Sequence, residues 1–136
     1  MARSVDIVKA APARSVDAAW AKRVALDTLS AEKIKDFHVD VLLTGDKEIR
    51  ALNRRHLKHD YATDVISFLL EPNLGDVVVS VEFARRFADS LGLPVKQETA
   101  RYIVHGILHL LGYDDQKPKD RAEMFERQEI ILKKIL

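Results

Sequence analysis

Two histidines, His105 and His109, stand four residues apart and are followed by an acidic pair. Residues i and i+4 of an α-helix lie on one face, so the two imidazoles would be stacked one turn apart. Gly112 can take the left-handed conformation that ends a helix, after which the chain turns back and brings Asp114 or Asp115 toward the histidines. The pattern H-x3-H-x5-D supplies two neutral nitrogens and one carboxylate and leaves a fourth position open for water. We therefore predict a metal site in this segment.

The alternative interpretation is that both histidines are packing residues. A single histidine on an apolar face is most often a hydrogen-bonded core residue, and the segment from Tyr102 to Leu111 is almost wholly apolar apart from His105 and His109. Burying two imidazoles beside a carboxylate costs several kcal/mol unless a group pairs with them. Packing therefore explains the pair less well than a metal does.

The predicted donor set favours hydrolysis, because such a metal lowers the pKa of bound water and polarises a carbonyl or phosphoryl oxygen. The metalloprotease pattern H-E-x-x-H places a glutamate base directly after the first histidine, where this chain has Gly106. Peptide hydrolysis by that mechanism is disfavoured. Two histidines and a carboxylate can also hold Fe(II) in an oxygenase, although no separate cofactor site supports that reading. No side chain is identified as a general base, so the catalytic group would be metal-bound water.

Composition narrows the class of protein further. The 136 residues are expected to form one domain over 1–136, and a net charge of +1 does not indicate a nucleic-acid binder. The absence of cysteine excludes disulfides and a thiolate zinc site. No apolar run approaches the roughly 18 residues of a membrane span, and the N-terminus lacks a signal-peptide core. We expect a cytoplasmic protein that does not enter a membrane.

The elements that must position the histidines are read from periodicity and capping signals. Strands are predicted at 4–9, 37–43, 63–70 and 75–81. Helices are predicted from Ser15 to about 30, from an Asp46 cap over 47–57, over 82–91 ending at Gly92, from Pro94 through the histidines, and from 117 onward. This order predicts an α+β domain, a small mixed sheet of about four strands packed with about five helices, with a central zincin-like metal helix.

One dense group of cations lies between 50 and 59. It comprises Arg50, Arg54, Arg55, His56, Lys58 and His59. Such a run is usually only a solvated face, and a phosphate-binding surface is the alternative.

Three motifs resemble one family. H-G-I-L-H-L-L-G-Y-D-D at 105–115 resembles the motif H-G-x-L-H-L-x-G-Y-D-H of the YbeY family, also called UPF0054, of bacterial rRNA maturation factors. The segment L-N-R-R-H-L-K-H-D-Y-A-T-D-V-I-S-F at 52–68 resembles the second motif of that family, and L-G-D-V-V-V-S at 74–80 matches the strand that follows. The resemblance extends over about 42–129.

The resemblance implies a metal-dependent endoribonuclease that is specific for single strands. It would act in rRNA maturation, including processing of the 16S rRNA 3′ end, and in ribosome quality control. Its partners would be single-stranded rRNA and the small ribosomal subunit. Independently of the resemblance, we expect the protein to be a monomer. The family metal is usually taken as one Zn²⁺ held by three histidines. By position these are His105, His109 and, in place of the third histidine, Asp115, whereas Asp114 matches a family aspartate that is not a ligand.

Two departures from the family pattern bear on activity. A carboxylate at Asp115 adds negative charge, makes bound water less acidic and could admit Mn²⁺ or another divalent metal. Leu57 stands where many members have an arginine, and Arg54, Arg55 or Lys58 could supply cations to the RNA phosphates instead. Attack by a ribose 2′-OH rather than by water also stays open.

Two hypotheses from different classes remain. The open fourth coordination position favours the nuclease. The residues at 57 and 115 favour a ribosome-associated binding protein with a structural metal and little or no cleavage. A metalloprotease-like hydrolase is a distant third because of Gly106.

Overall fold

The structure, a computed structural model, describes residues 2–136. It confirms the predicted α+β order with four strands and five helices. The strands are β1 (Arg3–Lys9), β2 (Phe37–Thr44), β3 (Val65–Glu71) and β4 (Leu74–Ser80), and the helices are α1 (Ala18–Ala31), α2 (Asp46–Leu52), α3 (Val81–Leu91), α4 (Val95–Leu110) and α5 (Pro118–Ile135). A 3-10 turn occupies Ala11–Ala13, and one turn of π-helix, Asn53–Leu57, extends α2.

The sheet is mixed, in the order β1-β2-β4-β3. The first three strands in that order are parallel, and β3 pairs antiparallel with β4 through a short turn at Pro72 and Asn73. Ile7, Val41 and Val77 lie in one cross-strand row, with alternate residues of each strand facing opposite sides. This alternation gives the sheet two different faces.

The two faces carry different helices. The main core lies between one face and helices α1, α3, α4 and α5, and it includes Val77 and Ile107. The other face carries α2, whose Ile49 packs with Ile66 and Val78. The cations between 50 and 59 lie on α2 and the segment after it. The sheet therefore separates them from the predicted metal helix.

Helix α4 approaches the sheet closely at Gly106, which has no side chain to hold the two apart. A Cβ atom at this position would lie 2.5 Å from Cγ1 of Val77 and 3.0 Å from Cγ2 of Val65. The hydroxyl of Ser67 donates a hydrogen bond to the Gly106 carbonyl at 2.7 Å. The residue after the first histidine thus faces the sheet, so a glutamate base could not be accommodated there without moving α4.

Several predicted boundaries and caps are wrong. Ser15 does not cap α1; Asp17 does, because its carboxylate accepts from the backbone N–H groups of Ala19 and Trp20. Asp46 does not cap the second helix, since its carboxylate accepts from Ser80 and Arg86 on the far side of the turn.

Other differences are small. The regular part of the second helix ends at Leu52, and Lys58, with φ of 60°, closes the π turn that follows. Gly92 and Gly112 have positive φ at the ends of α3 and α4, as predicted. Within residues 2–136, no helix is long and apolar enough to span a membrane.

Candidate metal centre

His105 and His109 lie on one face of α4, as their spacing predicts. Their ring centroids are 4.7 Å apart, and the ring planes cross at 81°. Helix α4 ends at Leu110, and the backbone N–H of Tyr113 donates to the carbonyl of Leu108 as the chain turns back. This turn brings Asp115 to the histidine face.

The structure brings together the three residues predicted as ligands. Oδ2 of Asp115 lies 3.2 Å from Nε2 of His109 and 3.7 Å from Nε2 of His105. The side chains of His105, His109 and Asp115 are 27%, 29% and 41% exposed, so the cluster opens to solvent although α4 itself is largely buried. Asp114 points elsewhere: its Oδ1 accepts from the backbone N–H of Gln116.

Neighbouring groups orient both imidazoles. Nδ1 of His105 donates to Oε1 of Gln128 at 2.7 Å, and Nδ1 of His109 donates to the carbonyl oxygen of Tyr113 at 3.1 Å. In a neutral imidazole with a proton on Nδ1, Nε2 is an acceptor. Both Nε2 lone pairs are therefore directed toward Asp115.

This arrangement fits a metal ion. Two imidazole nitrogens and a carboxylate oxygen, all acceptors, lie within 4.8 Å of one another, which is unfavourable unless a cation lies between them. Ligand atoms about 2.0–2.1 Å from a tetrahedral zinc ion are about 3.3 Å apart, close to the two separations from Asp115. The hydrogen bonds to both Nδ1 atoms are the kind that orients ligand histidines in metal sites.

Burial assists ligation by His105. Desolvation lowers the pKa of its imidazole and outweighs the hydrogen bond to Gln128, which acts in the opposite direction. The ring is thus neutral at pH 7, the form that binds a metal.

A second His/Asp group lies on the outer face of the sheet and is organised differently. His38 has Ser4 Oγ at 2.7 Å from Nδ1 and Asp40 Oδ1 at 2.8 Å from Nε2, with Asp6 Oδ2 at 3.6 Å. Both ring nitrogens of His38 are therefore already paired. The group is a hydrogen-bonded network in which both ring nitrogens of His38 have partners, as is typical of a structural histidine.

Sequence reasoning missed the residues that support the centre. Gln128 belongs to α5, and its amide nitrogen donates to Glu129. Arg101 of α4 donates two hydrogen bonds of 2.9 Å to the same glutamate. Arg121, also on α5, donates to the carbonyl of Asp115 at 3.1 Å. No spacing rule connects α5 to the histidines, so only the packed structure reveals these contacts.

The predicted RNA-binding cations lie elsewhere. Arg54, Arg55 and Lys58, here called the basic triad, are exposed on the π turn after α2, and Leu57 is exposed beside them. The sheet lies between this turn and α4, but the chain from Lys58 reaches Asp64 in a span of at most about 21 Å when fully extended. Asp64 is close enough to the centre to affect the pKa of His105.

Comparisons with known proteins agree with these features. The family described as Endoribonuclease YbeY matches residues 8–136. A Persephonella marina protein named Endoribonuclease YbeY is 35% identical over 131 residues, which cover 90% of this chain and 86% of that protein. A protein of the same name from Anaeromyxobacter dehalogenans is 46% identical over 106 residues, 74% of this chain but only 55% of that longer protein.

The fold is also found in a solved structure. The solution structure of a Thermotoga maritima protein matches with a TM-score of 0.71 and 28% identity, covering 96% of this chain and 88% of the other.

Proposed function

Because this chain belongs to the Endoribonuclease YbeY family, we propose that it cleaves single-stranded RNA at the centre formed by His105, His109 and Asp115. The observation that carries the proposal is the convergence of three acceptor atoms, two Nε2 and one Oδ2, at a solvent-accessible face. A structural zinc site is closed by four protein ligands, whereas three ligands leave a position for substrate.

The proposed metal is zinc, one ion per chain, with Mn²⁺ or another divalent ion admitted by the carboxylate of Asp115. Such an ion would supply Lewis-acid chemistry at a phosphoryl oxygen. Other residues position the proposed ligands. Gln128 and the Tyr113 carbonyl fix the histidine tautomers, and Arg121 donates a hydrogen bond to the backbone carbonyl of Asp115.

The basic triad is the proposed contact for RNA phosphates away from the centre. Its side chains are exposed, and the segment that follows leads to Asp64, which is close enough to His105 to affect its pKa. An RNA strand in contact with both regions would pass over β3, the edge strand of the sheet. Because these cations lie away from the centre, they would stabilise RNA binding rather than the chemical step.

We extend the proposal to rRNA as the substrate, with processing of the 16S rRNA 3′ end and ribosome quality control as the setting. The protein would act in the cytoplasm as a monomer in association with the small ribosomal subunit. The alternative is a ribosome-associated protein with a structural metal. A closed ligand set would support that alternative, whereas the predicted ligands here are exposed to solvent.

The test is a cleavage assay with the purified, metal-loaded chain. A short single-stranded RNA should be cut, the same RNA annealed to its complement should be cut far more slowly, and the His105→Ala and His109→Ala variants should be inactive. Metal-loaded protein that binds the RNA without cutting it would instead support the binding-protein alternative.

A further inference from the structure

A cavity of about 210 Å³ adjoins the metal centre, and His105 belongs to its wall. The lining includes Asp64 from the segment before β3, Phe83 and Phe87 from α3, and Tyr102 from α4. A group held in this cavity would lie directly beside the atoms that bind the metal.

Aromatic rings form much of the wall. Phe83 and Tyr102 meet edge to face, with ring centroids 6.4 Å apart at 70°. Phe87 is 45% exposed, and no other ring within residues 2–136 stacks on it. An exposed aromatic face beside an active site can stack a planar ligand.

The hydroxyl of Tyr102 also lacks a partner. The residue is only 6% exposed, but no side-chain polar atom among the described residues is both buried and unpaired, so the hydroxyl itself reaches the solvent of the cavity. A ligand that offers an acceptor atom there could replace the water bonded to this hydroxyl and accept its hydrogen bond. Burial, together with the charge of Asp64, raises the pKa of Tyr102 to about 12, so the group remains a hydroxyl that can donate.

The charges in the cavity disfavour phosphate. Asp64 and Glu98 are acidic, and Arg101 is already bound to Glu98 and Glu129. An uncharged planar group with hydrogen-bonding atoms suits these walls better. The volume is sufficient, since a cavity of about 150 Å³ accommodates benzene.

We propose that this cavity binds one nucleobase of the RNA, stacked on Phe87 and accepting a hydrogen bond from Tyr102. The inference rests on the proposed function and deepens it. A base can enter only if it is neither paired nor stacked in a helix, so the cavity would provide a physical cause for single-strand preference.

The test uses a short single-stranded RNA with 2-aminopurine at each position in turn. The RNA is mixed with the metal-loaded protein by stopped flow, so that binding is observed before cleavage. Wild-type protein should quench the fluorescence at one position. Phe87→Ala should abolish that quench and weaken binding about tenfold, within the roughly 1–3 kcal/mol that stacking of one base contributes.

Two further variants separate stacking from hydrogen bonding. Phe87→Leu keeps apolar volume without an aromatic face and should also lose the quench. Tyr102→Phe should keep the quench and weaken binding by about threefold to tenfold, the range expected for one hydrogen bond. An RNA that is abasic at the quenched position should bind wild type and Phe87→Ala equally.

The matched control is Phe125→Ala, on α5, where the ring is 60% exposed and outside the cavity. It should quench and bind like wild type. Absence of a quenched position in wild-type protein that cleaves RNA, or an unchanged quench in both Phe87 variants, would overturn the subsite and leave the proposed function intact. A quench that depends on Phe87 in a protein that never cleaves RNA would support the subsite and overturn the nuclease.

Discussion

The amide oxygen of Gln128 lies 2.7 Å from Nδ1 of His105 and joins the last helix to the metal centre. The amide nitrogen of Gln128, Nε2, donates to Glu129. Rotating the amide by 180° would therefore break both hydrogen bonds. Because Glu129 is gripped by Arg101, the orientation of His105 depends on the docking of α5 against α4. Helix α5 is therefore part of the centre although it supplies no ligand.

Replacing Gln128 with methionine should weaken metal binding about tenfold or more, in the range found when outer partners of ligand histidines are removed. Methionine keeps the volume but offers His105 Nδ1–H only a weak acceptor in place of the amide oxygen, so the tautomer is no longer fixed. Competitive titration with a chelating dye would measure the affinity. Gln97→Met, on α4 but without a bond to either histidine, should bind metal like wild type. Equal affinity in the two variants would refute the positioning role.

Removing either histidine should abolish metal binding. The purified protein should contain about one metal ion per chain, and His105→Ala or His109→Ala should leave it without a stable metal, because two ligands rarely hold a divalent ion tightly. Elemental analysis gives the content directly. His38→Ala is the control, since the nitrogens of His38 are already paired, and it should retain the metal. Loss of metal only in the His38 variant would move the site to the outer face of the sheet.

The two adjacent aspartates should behave differently. Asp115→Ala should weaken metal binding strongly because its Oδ2 faces both histidines, whereas Asp114→Ala removes only a local bond to Gln116. Asp115→His should tighten zinc binding relative to manganese, since imidazole suits zinc and a carboxylate suits manganese. Parallel zinc and manganese titrations measure both effects. The ligand assignment is wrong if Asp114→Ala is the more damaging change.

Replacing the basic triad, Arg54, Arg55 and Lys58, with alanines should weaken RNA binding and reduce its salt dependence. If all three contact phosphates, the log–log slope should flatten by about two units. Fluorescence anisotropy at several salt concentrations measures the slope, and the metal content should not change.

A control for the triad removes the same charge from Lys22, Arg23 and Lys35, which are exposed elsewhere. It should leave the slope close to that of wild type. Identical slopes for the two triple variants would show that the triad does not contact RNA.

Ionisation of Tyr102 should be delayed to about pH 12. Because the pKa is higher in the folded chain than in the unfolded one, the associated stability is fully present below about pH 10 and is lost as the pH rises through 12. Tyrosinate absorbance of the folded protein should show this late transition, and Tyr102→Phe should remove it. A late transition of the same size in wild type and Tyr102→Phe would contradict the burial of this phenol, because the transition would then belong to another tyrosine, such as Tyr113, whose pKa is also raised.

The order of elements and the ligand segment could be predicted because both depend on local pattern. Strand alternation, helix periodicity and Gly112 are all encoded within a few residues of one another. Ser15 and Asp17 are both suitable N-cap acceptors, and the path of the backbone before α1 decides which of them caps the helix. The sequence pattern does not contain that path, so the cap was assigned to the wrong residue. Gln128 and the cavity at Tyr102 depend on how α3, α4 and α5 pack, which a linear pattern does not contain.

All three atoms of the proposed ligand set come from residues 105–115, a segment that spans the last turns of α4 and the bend after it. A metal bound there closes only a very short loop, so the entropy it removes from an unfolded chain is small. The same segment can also bind metal weakly before the sheet forms, which further reduces the stabilisation of the native state. A metal ion at this site would therefore add little to the stability of the fold, and its main effect would be on reactivity.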